Sequence, residues 1–253
     1  MNIQKAALIL VFLALAFKSN GQNVNLKDSS VQANLIIVEG MVGVPAADFS
    51  ERFGLHGLAG LGWQYKAKNN LVFGVTGHYL FGNTVKDENL VQNIKTETGY
   101  IIGTDGQLYN PVFFEQGFDI MAEVGGITSL FSVNPNSGLA FNFGIGYLQH
   151  NIEIFLDETI APQLSGDYKK GYDKLTGGIQ FSQFVGYYLF SNKAFVNFRA
   201  GFEFRQAITQ DIRGFSFDGT PVEEGNRLDM MINFKASWIL PIYKKTGRRY
   251  YSF

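Results

Sequence analysis

Along most of the chain, apolar side chains recur at every second position, in segments of about 13 to 17 residues separated by clusters of Gly, Asn, Pro and Asp. A period of two marks a strand whose faces meet different surroundings. Segment 71–83 is the clearest: Leu71, Phe73, Val75, Gly77, Tyr79 and Phe81 lie on one face, and Val72, Gly74, Thr76, His78, Leu80 and Gly82 on the other. In segment 54–66, Leu55, Ala59, Leu61, Trp63 and Tyr65 oppose His56, Leu58, Gly60, Gly62 and Gln64. Segment 194–210 sets Val196, Phe198, Ala200, Phe202, Phe204 and Ile208 against Asn197, Arg199, Gly201, Glu203, Arg205 and Thr209. Segment 227–243 sets Leu228, Met230, Ile232, Phe234, Ala236, Trp238 and Leu240 against Asp229, Met231, Asn233, Lys235 and Ser237. Four noisier segments, 31–44, 116–131, 139–156 and 175–190, bring the predicted strands to eight.

Alternation alone does not say which face meets water, because a soluble barrel with an apolar interior alternates as well. The second face decides: it carries mainly Gly, Asn, Gln, Ser and Thr, where a water-facing strand would carry long Lys and Glu side chains. Small polar groups suit a cramped interior, and a Phe/Leu/Val/Ile face tipped with Trp or Tyr suits lipid with an aromatic girdle. Backbone groups in hydrocarbon must be paired within the protein, so a spanning sheet must close. The connections agree: short turns at 67–70, 132–138 and 191–193 alternate with longer ones at 45–53, 84–115, 157–174 and 211–226. Short inside and long outside is the habit of outer-membrane barrels. The expectation is an all-β, eight-stranded antiparallel transmembrane barrel of outer-membrane type over residues 22–243.

Composition and termini place this barrel in an envelope. Lys5 precedes an apolar run from Ala6 to Phe17, followed by small and polar residues up to Gly21, which reads as a secretory signal peptide over 1–21. That run falls short of the roughly 20 apolar residues that a transmembrane helix needs. With no Cys, the chain has no disulfide framework, no thiolate metal site and no lipid on an N-terminal Cys. A net charge of −1, with no basic segment in the periodic part, argues against nucleic acid. The last residues, 244–253, form a basic and aromatic periplasmic tail in which Lys244, Lys245, Arg248 and Arg249 could meet acidic headgroups or a partner. Phe253 alternatively makes the tail an assembly signal, although Pro241 removes a donor late in the last strand.

The candidate chemistry lies mostly inside. Asp119, Glu123, Arg199, Glu203, Arg205, Asp229 and Lys235 all fall on the inward face, four acids against three bases. Eight strands leave room only for side chains, so these ions are expected to interlock as a polar plug instead of lining a channel. His56 and His78 read as hydrogen-bonded interior histidines. His150, near the outer rim, with Ser165 in the next loop, is the one pair from which a lipid-modifying enzyme could be built. No Gly-x-Ser-x-Gly, His-Glu-x-x-His or phosphate-cradling loop occurs, and no cofactor is expected. Connection 84–115, with a helical turn predicted around 88–94 and a turn at Thr104, Asp105 and Gly106, is long enough to be a docking surface or a mobile loop.

Several strings carry a resemblance. Residues 134–150 (NPNSGLAFNFGIGYLQH), 162–175 (PQLSGDYKKGYDKL), 200–210 and 238–245 (WILPIYKK), with the Thr104-Asp105-Gly106 turn, resemble a family of eight-stranded outer-membrane proteins found across the Bacteroidota. The likeness covers roughly the last 150 residues and implies fold and location but no activity, since fold does not fix function. By analogy with the small barrels of Bacteroidota envelope machines, the expected role is a non-enzymatic structural or accessory subunit. It would contact outer-membrane lipid and dock other envelope proteins through its extracellular loops and tail. The alternatives are the rim-His enzyme and, further behind, a small-solute channel.

Overall fold

Eight long strands alternate with eight-fold antiparallel pairing in the computed structural model, which describes residues 26, 28–87, 90–157, 160–192, 196–219, 221–222 and 225–243. They are β1 (Ala33–Ala47), β2 (His56–Lys66), β3 (Leu71–Gly82), β4 (Val112–Ile127), β5 (Gly138–Phe155), β6 (Thr176–Leu189), β7 (Phe198–Asp211) and β8 (Arg227–Tyr243). Each pairs with its sequence neighbours, and β1 pairs with β8 from Ala33↔Tyr243 to Ala47↔Asp229, so the sheet closes into a barrel without an edge. The signal peptide expected over 1–21 and the tail 244–253, with Lys244, Lys245, Arg248 and Arg249, lie outside the described residues.

The two faces predicted for the strands are the outside and inside of this ring. Val42, Leu61, Phe73, Ile120, Phe143, Ile179, Phe202 and Phe234 are exposed on the outer wall, while Gln64, His78, Asp119, Arg199, Glu203 and Lys235 are buried inside. The interior is layered. Toward the end that carries the short turns, Leu35, Ile37, Val72, Phe184, Tyr188, Phe190 and Ile239 form one apolar cluster. Toward the other end, Met41, Phe49, Phe53, Leu58, Leu80, Leu148 and Met231 form a second. Reading along β1, Ile37, Glu39 and Met41 pass from one cluster through a charge into the other, and along β8 Met231, Lys235 and Ile239 do the same. A charged layer therefore lies between two apolar plugs.

The largest shifts from the expected boundaries fall in three strands. β4 begins at Val112 and stops at Ile127, four residues early at each end relative to the 116–131 expected. Leu130 and Phe131 look strand-forming, yet Phe131 has φ +56 and both sit in the turn to β5. That turn is closed by Gly138 at φ +147, where an added Cβ would lie 1.9 Å from the Thr128 carbonyl oxygen. β1 runs through Pro45 to Ala47, because Pro45 lies opposite Met231 within the ladder to β8. β7 begins at Phe198, while Val196 and Asn197 precede it.

Candidate functional site

Inside the charged layer the ions are paired in detail. His78 on β3 stands between two carboxylates, Nε2 at 2.6 Å from Glu39 Oε1 and Nδ1 at 2.7 Å from Asp119 Oδ1. It has room because its β2 neighbour is Gly60, where a Cβ would fall 2.3 Å from the ring. Arg205 donates to Asp119 Oδ2 and, at 2.5 Å, to Glu203 Oε1. Lys235 reaches Glu203 at 2.7 Å, Glu123 at 3.3 Å and Glu39 at 3.4 Å. Arg199 donates to Glu39 Oε2 at 2.5 Å, to the Tyr188 hydroxyl at 2.6 Å and to Ser237 Oγ at 3.0 Å, with Glu123 Oε2 at 3.5 Å. Phe184 lies under both cations, 5.6 Å from the Arg199 guanidinium and 5.8 Å from the Lys235 ammonium.

Charge balance follows from this geometry. Carboxylates only accept, so a ring with a carboxylate oxygen close to each nitrogen donates from both and counts as a cation. Glu39, Asp119, Glu123 and Glu203 then face His78, Arg199, Arg205 and Lys235, four against four. Remaining acceptor capacity is filled by neutral donors: Gln64 reaches Glu123 Oε2 at 2.6 Å, Thr76 reaches Glu123 Oε1 at 3.2 Å and Ser237 reaches Glu39 Oε2 at 2.9 Å. Buried ions are tolerated only when every member is paired in this manner.

Six of the seven inward ions read from the sequence meet in this network. The seventh, Asp229, does not join them. It lies one layer nearer the loop end, where His150 Nε2 is 3.0 Å away, Thr209 donates at 2.6 Å and Arg227 Nε stands at 3.7 Å. Glu39 takes the place expected of it and was missed, as was the ionic role of His78. Segment 31–44 is apolar on both faces, which hid the register; its lone acid was the available signal, since a single charge in a spanning strand belongs inside.

The histidine readings divide. His56 is interior and hydrogen-bonded, its Nε2 at 3.0 Å from Asn233 Oδ1. His150 is not a rim residue open to lipid: it is 1% exposed, bound to Asp229 and packed edge-on against the rings of Phe49 and Phe53. Ser165 donates to the Pro162 carbonyl instead, so the dyad is not formed. Among the described residues no group of three or more His, Asp or Glu side chains is arranged to hold a metal.

Above the apolar plug, the long connections fold over the mouth. The connection between β3 and β4 sends Leu90, Val91 and Ile101 down onto Ala161, Leu164 and Tyr172 of the β5–β6 connection. Its helical turn is a single 3-10 turn, Gln92–Ile94. Its outer part is a hairpin pairing Ile101–Ile102 with Leu108–Tyr109 around Thr104, Asp105 and Gly106. There the Tyr109 hydroxyl donates to Asp105 at 2.7 Å, and the Gln107 amide at 3.0 Å, which holds the Asp105 carboxyl below its usual range. Arg213 of the β7–β8 connection donates to Asp173 before β6 at 3.1 Å; burial nevertheless pushes the Asp173 carboxyl up. Ile102, Leu108, Tyr168, Phe215 and Phe217 stay exposed on this crown.

A closed eight-stranded barrel with an apolar belt outside, a filled polar interior, short turns at one end and long connections at the other is a small outer-membrane β-barrel. Barrels of this class put their long connections on the exterior and their short turns in the periplasm. Among solved structures, the chain is similar to Neisserial surface protein A, at 9% identity over 82% of this chain and 96% of that one, with a TM-score of 0.42. It is also similar to Ail, the attachment invasion locus protein of Yersinia pestis, in complex with the heparin analogue sucrose octasulfate, at 10% identity over 82% and 97%, with a TM-score of 0.39. No protein-family profile matches the chain. No curated protein matches it.

Proposed function

We propose that this chain is a non-enzymatic outer-membrane barrel, akin to the Bacteroidota proteins it resembles in sequence, that serves as an accessory subunit. It docks other envelope proteins through its loop crown and C-terminal tail. The observation that carries this reading is the division of labour within the fold. The interior is spent on a self-satisfied ion layer between two apolar plugs, and exposed recognition chemistry lies on the connections: Ile102 and Leu108 face each other across the hairpin, and Phe215 and Phe217 are exposed on the β7–β8 connection. A filled interior opposes a solute path, and a His150 locked to Asp229 beneath Phe49 opposes lipid chemistry.

The test is purification of the tagged protein from its native envelope in mild detergent, followed by mass spectrometry. Stoichiometric co-purification of other outer-membrane proteins is expected, and removal of hairpin 101–109 should abolish it while the barrel still runs as a folded species on unboiled gels. A chain that purifies alone under every mild detergent would overturn the accessory role.

A further inference from the structure

We infer that residues 130–133, the tip of the turn between β4 and β5, insert into the periplasmic leaflet and hook the barrel to the headgroup and acyl boundary there. Four observations carry this. First, the tip is apolar and turned outward: Leu130, Phe131 and Val133 are 57%, 76% and 69% exposed, far more than an interior role would leave them. Second, the rest of the turn is tied inward, which fixes which side protrudes. Asn136 accepts from the Val31 amide and Lys66, and donates to the Leu26 and Ser29 carbonyls. Asn134 donates to the Phe190 carbonyl at 2.7 Å, and Asn70 to that of Pro135 at 2.9 Å.

Third, the tip is continuous with the lipid-facing wall. Tyr187 lies on the outer face of β6, and its hydroxyl donates to the Phe131 carbonyl at 2.9 Å, so the tip is held against the barrel's outside at the level of its aromatic girdle. Phe141 and Val185, paired across β5 and β6 one step above Tyr187, extend the same apolar surface upward. Fourth, the stretch from Thr128 to Gly138 contains no charged residue, so nothing in it resists entry into the headgroup region. A turn facing only periplasmic water would gain from polar residues at its tip. Ser132, between Phe131 and Val133, and Ser129, just before Leu130, are small enough to follow the apolar side chains to headgroup depth.

The experiment places a single fluorescent reporter on the tip. Trp63 and Trp238 are replaced by Phe and Phe131 by Trp, and the protein is folded into phosphatidylcholine vesicles. Acyl chains are brominated near the carboxyl end or near the methyl end. An interfacial segment sits roughly 5–10 Å into the headgroup and acyl boundary, so shallow bromine should quench severalfold more than deep bromine, with blue-shifted emission. Both leaflets have one composition, so vesicle orientation does not affect the readout. Emission at the water position, unquenched by either lipid, would overturn the proposal and leave the patch to a protein partner. If the Phe131→Trp chain does not fold, Val133→Trp in the same background reports the same depth with the same two outcomes.

Discussion

Removing Arg199 tests the ion layer most directly. Its guanidinium donates to Glu39, Tyr188 and Ser237 and approaches Glu123, all of them buried. Arg199→Ala leaves four carboxylates with His78, Arg205 and Lys235, one positive charge short, and empties the space over Phe184. Breaking a buried pair by deleting one partner costs about 3–5 kcal/mol. For a chain of this size, at roughly 2–4 °C per kcal/mol, the apparent melting temperature should fall by about 6–20 °C. The readout is tryptophan emission during heating and urea titration in detergent micelles, with gel mobility as a check of folding. A second substitution, Glu39→Gln, removes the excess negative charge while keeping an acceptor for Ser237. The double variant should therefore be less destabilised than the sum of the singles, a coupling that distinguishes lost charge balance from lost volume. An Arg199→Ala barrel that melts within a degree or two of the parent, or strictly additive singles, would refute the interlocked layer.

Other expectations follow from the same layering. Phe202 is 61% exposed on the outer wall of β7; Phe202→Arg should cost about 2–4 kcal/mol near the bilayer midplane, read as a loss of folded protein in vesicles, and an unaffected variant would mean this face does not meet lipid. Phe49 is fully buried over His56 and His150, so Phe49→Ala should cost about 3–5 kcal/mol in chemical unfolding yet leave planar bilayers silent, because the ion layer beneath still fills the lumen. Steady discrete conductance from that variant would show that the plug alone closes the barrel. His150→Ala should leave the lipid profile of expressing cells unchanged while lowering stability, since Asp229 loses the ring nitrogen that stands 3.0 Å from it; an altered profile by lipid mass spectrometry would revive the enzymatic alternative.

Much of the barrel was legible because a spanning strand must alternate. β2, β3, β7 and β8 show clean faces, and every inward ion read from them is buried inside. What failed has physical causes. Glu39 was hidden because β1 crosses both apolar plugs: Leu35, Ile37 and Met41 point inward as Ile36, Val38 and Val42 point outward, which erases the contrast on which face assignment depends. Asp229 stands apart from the ions it shares a face with: alternation gives the face of a residue but not its height. Height depends on the stagger between strands, which sets Asp229 opposite Ala47 and Ala207 and thus near the mouth.

The turn after β4 failed for a different reason, and the failure is informative. A run of apolar residues normally extends a strand, which by sequence puts Leu130 and Phe131 in β4, yet the ladder stops at Ile127 and the chain turns with Phe131 at φ +56. A bulky side chain is seldom kept in that conformation at about 1–2 kcal/mol of cost unless something offsets it. The inward half of the turn explains the geometry, since Asn134, Asn136 and Ser137 close the lower plug around Lys66, Phe190 and the carbonyls of Leu26 and Ser29. It does not explain why the outward half is Leu, Phe and Val instead of Asn or Asp, which would adopt the same turn at less cost. Contact with the periplasmic leaflet supplies that reason. Polar replacement of Leu130, Phe131 and Val133 together should therefore leave folding in detergent intact and weaken retention of the barrel only where a bilayer is present.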